Sequence, residues 1–243
     1  MERPAYSSHP EPGLYRELRP AWSDENLRYL CRHLRSHLFF AHVRAATGTP
    51  VTRTNCHPFT CRGWLFMHNG FVGNWNRLRR RVEALILDDL YPARIGTTDS
   101  EAIFLAIMGA GIDDPVTAAE TTVEKLANLA DQNEPGDRLR FTVALSNGHD
   151  LYAFRYSIND CANTLYYRET DAAIVVVSKP LDQDQNSWIA VPENYVLVGG
   201  YVTDHFGSSP AFGSLAAIGA AGFAVVWLMM PETRPVEEKE IEE

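Results

Sequence analysis

Residues 139–156 read LRFTVALSNGHDLYAFRY, two runs of alternating apolar and polar residues around Ser146-Asn147-Gly148-His149-Asp150. Alternation with a period of two marks a half-buried strand, and Asn-Gly between two such runs supplies the backbone freedom of a tight hairpin turn. The reading is an antiparallel hairpin over 139–145 and 151–156. Downstream, 165–167 and 173–177 extend the antiparallel series.

Upstream the period becomes helical. Ser23 or Asp24 caps a helix whose Leu27, Leu30, Cys31 and Leu34 form a face expected to pack on the domain. A basic helix spans about Trp75 to Leu90, with Leu78, Val82 and Ile86 as its apolar stripe and Arg77, Arg79, Arg80 and Arg81 on its solvated side. Two more helices follow, one from Asp99 through Ile103, Phe104 and Ile107 to Gly109 and Gly111, the other from Asp113-Asp114-Pro115 to about Asp131. Two short apolar runs, 38–44 and 64–67, read as buried strands, the second stopped by His68-Asn69-Gly70. Helices gathered early and strands gathered late, without regular βαβ alternation, define an α+β class.

Composition bounds the function. The chain has 243 residues, 45% hydrophobic and 22% charged, enough for a domain of about 150 to 200 residues with an appendage. Asp and Glu outnumber Lys and Arg 31 to 22, and no basic run occurs, so nucleic acid is not an expected partner. Cys31, Cys56, Cys61 and Cys161 form no dense disulfide framework, and the N-terminus carries no signal segment, so a cytoplasmic compartment is expected. Near residue 199 the composition shifts. Ala211 to Met230 contains no charge and would span about 30 Å as a helix, and a Glu-rich end follows. The expected organisation is a domain over 1–198, a linker over 199–210, a transmembrane helix over 211–230 that brings membrane contact, and an acidic tail over 231–243.

Chemistry concentrates in four stretches: HVRAATG (His42 to Gly48), NCHPF (Asn55 to Phe59), HNG (His68 to Gly70) and GTTDSE (Gly96 to Glu101). Arginine can grip a carboxylate bidentately, aspartate can hold an ammonium group, and Asn-Gly can aim two donors at a developing oxyanion. Together they fit an amino-acid substrate attacked at its side-chain carbonyl. Each also has a plainer reading: Arg44 in a structural ion pair, Asn69-Gly70 as a turn, Asp99 as a helix N-cap. Cys56-His57 with Cys61 looks like part of a zinc site but lacks a second ligand pair, so no metal is expected; Cys31 and Cys161 read as small buried hydrophobes.

In their order and spacing the four motifs resemble the class II glutamine amidotransferases of the N-terminal-nucleophile hydrolase superfamily, nearest the stand-alone branch related to the γ-glutamyl hydrolase of ergothioneine biosynthesis. The likeness covers about residues 10–198. It implies a four-layer αββα sandwich, no cofactor, and glutamine or a γ-glutamyl compound as the ligand. By the same resemblance, Arg44 binds the α-carboxylate and Asp99 the α-ammonium. Asn69, through its side-chain amide, and Gly70, through its backbone N–H, form the oxyanion hole, while Thr47 and His57 shape the pocket. The family's nucleophile is a cysteine thiol at the mature N-terminus, with its own α-amine as base.

Here Met1 is followed by Glu2-Arg3-Pro4, and the first cysteine is Cys31. The expectation is a domain that lacks its first strand region and its nucleophile, inactive as written although hydrolytic in complete form. The alternative is a non-catalytic, membrane-tethered amino-acid-binding remnant or a gene-fusion product. GGYVTDHFG (Gly199 to Gly207) and MMPETRP (Met229 to Pro235) resemble pieces of a major facilitator superfamily transporter, in line with such a fusion.

Overall fold

The alternating runs form a ladder. β3 (Leu139–Ser146) and β4 (Leu151–Ser157) pair antiparallel as the sequence predicts, with Gly148 at φ +92° in the turn between them. They sit inside a five-stranded sheet ordered β1-β2-β3-β4-β8, in which β1 is Phe59–Cys61, β2 is Trp64–Val72 and β8 is Tyr195–Gly199. This architecture comes from a computed structural model that describes residues 11–44, 49–130, 138–158, 162–170 and 173–199.

Register assigns each face of the sheet its partner. Phe66 lies opposite Leu145, His68 opposite Val143 and Gly70 opposite Phe141, while Val143 in turn faces Phe154 on β4. This row carries the apolar side chains and packs under a helical layer formed by α2 (Trp75–Glu83), α3 (Asp99–Gly109) and α4 (Pro115–Leu129). Leu78 and Val82 of α2, Ile103, Phe104 and Ile107 of α3 and Val123 of α4 enter the same core, where Phe104 stacks on Phe66 at 5.0 Å between ring centres. Residues 102–108 of α3 are buried on every side, which explains why that stretch is apolar all round rather than striped. The other face of the sheet, through Ala153 and Leu197, packs on Leu165, Tyr167, Val176 and Val191. Leu165 immediately precedes a second, three-stranded antiparallel sheet ordered β6-β5-β7, formed by β5 (Tyr166–Thr170), β6 (Ala173–Val177) and β7 (Ile189–Ala190).

Helix caps follow local chemistry. Asp24 accepts from the Leu27 N–H at 3.1 Å at the start of α1 (Glu25–His33), and Asp114 accepts from the Thr117 N–H at 3.3 Å below Pro115.

Several expectations need correction. The apolar stripe of α1 has no fully buried residue: Leu27 and Leu30 are half-buried, Leu34 is exposed, and Cys31 is exposed rather than buried. Residues 38–44 form no strand, and Val43 is 67% exposed: a strand needs a ladder partner, and none of the described strands pairs with this run. β2 does not stop at His68-Asn69-Gly70 but runs through to Val72, with Asn69 paired to Thr142. α2 ends at Glu83, and Ile86 and Leu90 bury from the turns that follow. β5 and β6 are the antiparallel strands the sequence predicts there, and they belong to the second sheet. The apolar segment 211–230, the acidic tail and Cys161 lie outside the described residues, as does the linker apart from Gly199, which ends β8. Among the described residues no helix is long and apolar enough to cross a membrane.

Candidate active site

β2 alternates across the sheet, so His68, Gly70 and Val72 face the helices while Asn69 faces the other way. His68 is 3% exposed. Its Nε2 lies 2.9 Å from the Arg140 carbonyl, which can only accept, so Nε2 carries the proton. Nδ1 is then the acceptor for the Ser100 hydroxyl at 3.0 Å. Reaching Arg140 carries the imidazole over Gly70, where a Cβ would lie 2.4 Å from Nε2 and 2.0 Å from the Arg140 oxygen. Glycine is required there by crowding, not by a turn.

Asp99 is not the N-cap. Thr98 caps α3 through its hydroxyl, which accepts from the Glu101 N–H at 3.2 Å. Asp99, as the first helical residue, is released to accept from the Val72 N–H at 2.8 Å with one oxygen and from the Ser100 N–H at 2.8 Å with the other. The half-buried carboxylate thus sits at a helix N-terminus, where the dipole favours an anion, and is tied to β2 two residues beyond Gly70.

The loop leading to Asp99 is held from beneath. Asn55, 1% exposed, accepts from the Thr97 N–H at 2.8 Å and donates to the Pro50 carbonyl at 2.9 Å. Glu101 accepts from the N–H groups of Ile95 (3.2 Å) and Gly96 (2.7 Å) and from Arg94 at 2.5 Å; Arg94 also reaches Glu83 on α2 at 3.0 Å. The first stretch contributes His42 and Arg44. The His42 ring lies tilted by 32° against that of His57 at 4.1 Å between ring centres, and His57 meets Phe59 edge-on at 4.7 Å. Arg44 is half-buried and donates to the Thr49 hydroxyl. It makes no ion pair among the described residues. Thr47 lies outside them.

Burial governs the histidines. It pushes His42 down to about 4, against a hydrogen bond to the His68 backbone, and holds His57 far below the ordinary range; the charge of Arg44 lowers both. His68 is also held low by burial, opposed by Asp99. Among the described residues, both ring nitrogens of His57 and Nδ1 of His42 have no hydrogen-bond partner. An unfolded chain takes up protons near pH 6.5 that the folded rings refuse. Stability is therefore full above about pH 7 and falls as pH drops from 6.5 toward 4. At pH 5.5 the His42 and His57 rings each cost about 1.4 kcal/mol relative to neutral pH. Urea midpoints at pH 7.5 and 5.5 should show the decline, and His57→Phe should flatten it; an unchanged slope in that variant would contradict the assignment.

His42 and His57 interact with each other, with His68 and with Arg44, and His68 interacts with Asp99. All four sequence motifs thus meet in one region. Asn69 is exposed on the opposite face of β2, and no hydrogen bond or ion pair joins Arg44, Asn69 and Asp99 directly among the described residues. No group of three His, Cys, Asp or Glu side chains among the described residues could hold a metal. The Cys56 thiol points at the Thr52 carbonyl (3.4 Å) and that of Glu17 (3.9 Å), away from any such grouping.

Sequence reasoning missed the Ser100 and Val72 partners of the site and the residue that holds Asn69. Asn163, from the loop before β5, donates through Nδ2 to both the main-chain and side-chain oxygens of Asn69, each at 3.0 Å. Nothing local marks an asparagine in a loop for that role.

A paired-sheet α+β domain with these motifs on its second strand and third helix defines a family: the chain belongs to the class II glutamine amidotransferases, whose family description, "Glutamine amidotransferases class-II", matches residues 16–167. Among curated relatives, the probable glutamine amidotransferase DUG3 of Saccharomyces cerevisiae is 31% identical over 227 aligned residues, covering 76% of this chain and 63% of the relative. The γ-glutamyl-hercynylcysteine sulfoxide hydrolase of Mycobacterium tuberculosis is 29% identical over 187 residues, covering 76% of this chain and 69% of that protein. The chain thus spans less than two thirds of the length of the yeast relative. Among solved structures, a glutamine aminotransferase class-II domain protein from Silicibacter pomeroyi superposes with a TM-score of 0.71 at 40% identity, covering 80% of this chain and 84% of that one.

Proposed function

We propose that this domain binds glutamine or a γ-glutamyl amide as a zwitterion, with Arg44 on the α-carboxylate and Asp99 on the α-ammonium. The Asn69 side-chain amide and the Gly70 N–H receive the oxyanion, and Thr47 and His57 shape the pocket. In the complete reaction a thiolate adds to the side-chain carbonyl, the tetrahedral oxyanion collapses with loss of ammonia or amine, and water cleaves the resulting thioester to release glutamate. The observation that carries this reading is the meeting of Asp99 with the end of β2 through the Val72 N–H, beside the His68-Asn69-Gly70 run.

The three described cysteines do not supply the thiol. Cys31 is exposed on α1, Cys56 is turned to backbone carbonyls, and the Cys61 thiol is pushed up by burial, which disfavours a thiolate. None carries the free α-amine that would make it self-activating. The 243-residue polypeptide is expected to bind glutamine without releasing ammonia, which calorimetry and a coupled ammonia assay separate. Arg44→Ala removes a charge-assisted bidentate partner and should weaken binding by about 2 kcal/mol, or about 30-fold. An unchanged dissociation constant would place the carboxylate elsewhere.

A further inference from the structure

We propose that Asn163 is a positioning residue that sets the rotation of the Asn69 amide and thereby decides which of its two ends meets the oxyanion; this rests on the reading of Asn69 given above. The oxygen and nitrogen of an asparagine amide have nearly the same shape, so orientation must come from partners of known polarity. Here one partner is unambiguous. The main-chain carbonyl of Asn69 can only accept, so the Asn163 atom 3.0 Å from it is the NH2 group. The same NH2 group lies 3.0 Å from the Asn69 side chain, which must turn its oxygen toward it. The Asn69 NH2 is therefore directed away from Asn163, as a hydrogen-bond donor for a ligand. The reverse rotation would turn the carbonyl dipole on a developing negative charge.

The clamp is itself braced. The Asn163 main-chain carbonyl accepts from the Thr142 hydroxyl at 3.2 Å and from Arg155 Nε at 3.0 Å, and Arg155 Nη1 donates to the Val191 carbonyl at 2.6 Å. Asn69, Thr142 and Arg155 are register partners across β2, β3 and β4 and share one face, so the loop carrying Asn163 lies across a row of three strands. One residue earlier, the Ala162 N–H donates to Glu193 at 3.0 Å, and Glu193 also accepts from Ser157. A loop fastened on both sides of Asn163 can hold an amide in one rotation.

The test uses the 243-residue chain and two probes: glutamine, whose planar amide makes little demand on the oxyanion donors, and the glutamate analogue bearing a γ-phosphonate, which is tetrahedral and anionic where the oxyanion forms. Asn69→Ala, Asn163→Leu and the nearly isosteric Asn163→Asp are compared with the parent by calorimetry. Asn163→Asp replaces the donor with acceptors only, so the Asn69 amide should rotate; it also serves if Asn163→Leu does not fold. All three variants should weaken the phosphonate at least tenfold while changing glutamine affinity less than threefold. The Asn69 side-chain NH2 resonances should shift in both Asn163 variants. Phosphonate affinity held within twofold in both Asn163 variants but lost in Asn69→Ala would overturn the positioning role and leave the reading of Asn69 intact. An Asn69→Ala variant that binds the phosphonate normally, or a parent that does not bind it, would overturn both. Equal losses of glutamine and phosphonate in Asn163→Asp would reduce Asn163 to a structural residue.

Discussion

Gly70→Ala is expected to destabilise the domain by on the order of 4 kcal/mol or more, enough to unfold a large share of it at room temperature. The added methyl would sit 2.0 Å from the Arg140 carbonyl oxygen and 2.8 Å from its carbon, and both belong to backbone in the neighbouring strand. It would also sit 2.4 Å from His68 Nε2. A flexible side-chain tip could swing aside. A ladder carbonyl cannot, because moving it strains β2–β3 pairing and breaks the His68 hydrogen bond, leaving a buried imidazole N–H without an acceptor. Gly13→Ala, where a Cβ meets nothing within 4 Å, is the matched control and should stay within about 0.5 kcal/mol of the parent. Urea unfolding of both checks the contrast, and a Gly70→Ala loss below about 1 kcal/mol would mean that β2 and β3 do not approach as described.

Glu101→Leu should cost about 3 to 5 kcal/mol. The Arg94 side chain is 4% exposed and would keep only Glu83, while the N–H groups of Ile95 and Gly96 would lose their acceptor. Removing one member of a buried charge network leaves the others desolvated and unmatched, which is why the cost exceeds that of an ordinary ion pair. The exposed Arg53–Glu17 pair at 2.8 Å offers the comparison: Arg53 is 66% exposed, and Arg53→Ala should change stability by less than about 1 kcal/mol. Because Glu101 holds the loop that delivers Asp99, the same variant should lose glutamine binding even in conditions where it remains folded. Chemical denaturation and calorimetry on one preparation distinguish these effects.

Much of this was legible locally. Asp24 and Asp114 cap helices because a short carboxylate two or three residues before an open N–H is competent wherever it occurs, and the β3–β4 hairpin follows from Asn147-Gly148 between alternating runs. Asn69-Gly70 carries the same dipeptide signal and is nevertheless mid-strand, because Thr142 and Phe141 pair opposite it and His68 claims the space over the glycine. A turn signal is a statement about backbone freedom, and crowding from a distant strand uses that freedom differently. The same limit applies to residues 38–44, whose apolar run is strand-like but whose ladder depends on a neighbour that local composition does not specify.

Composition, periodicity and the four ordered motifs were sufficient by themselves for the α+β class, for most helices and strands, and for membership of the family. Only tertiary structure decided that Asp99 answers to Val72 rather than capping its own helix, that the His42 and His57 rings meet in a setting whose burial pushes both below their ordinary range, and that Asn163 holds the Asn69 amide from 94 positions away. The physical reason is one of range. Helix caps, turns and alternation are settled within a few residues, whereas the direction of an amide or the charge on an imidazole depends on which distant atoms the fold brings within about 3 Å.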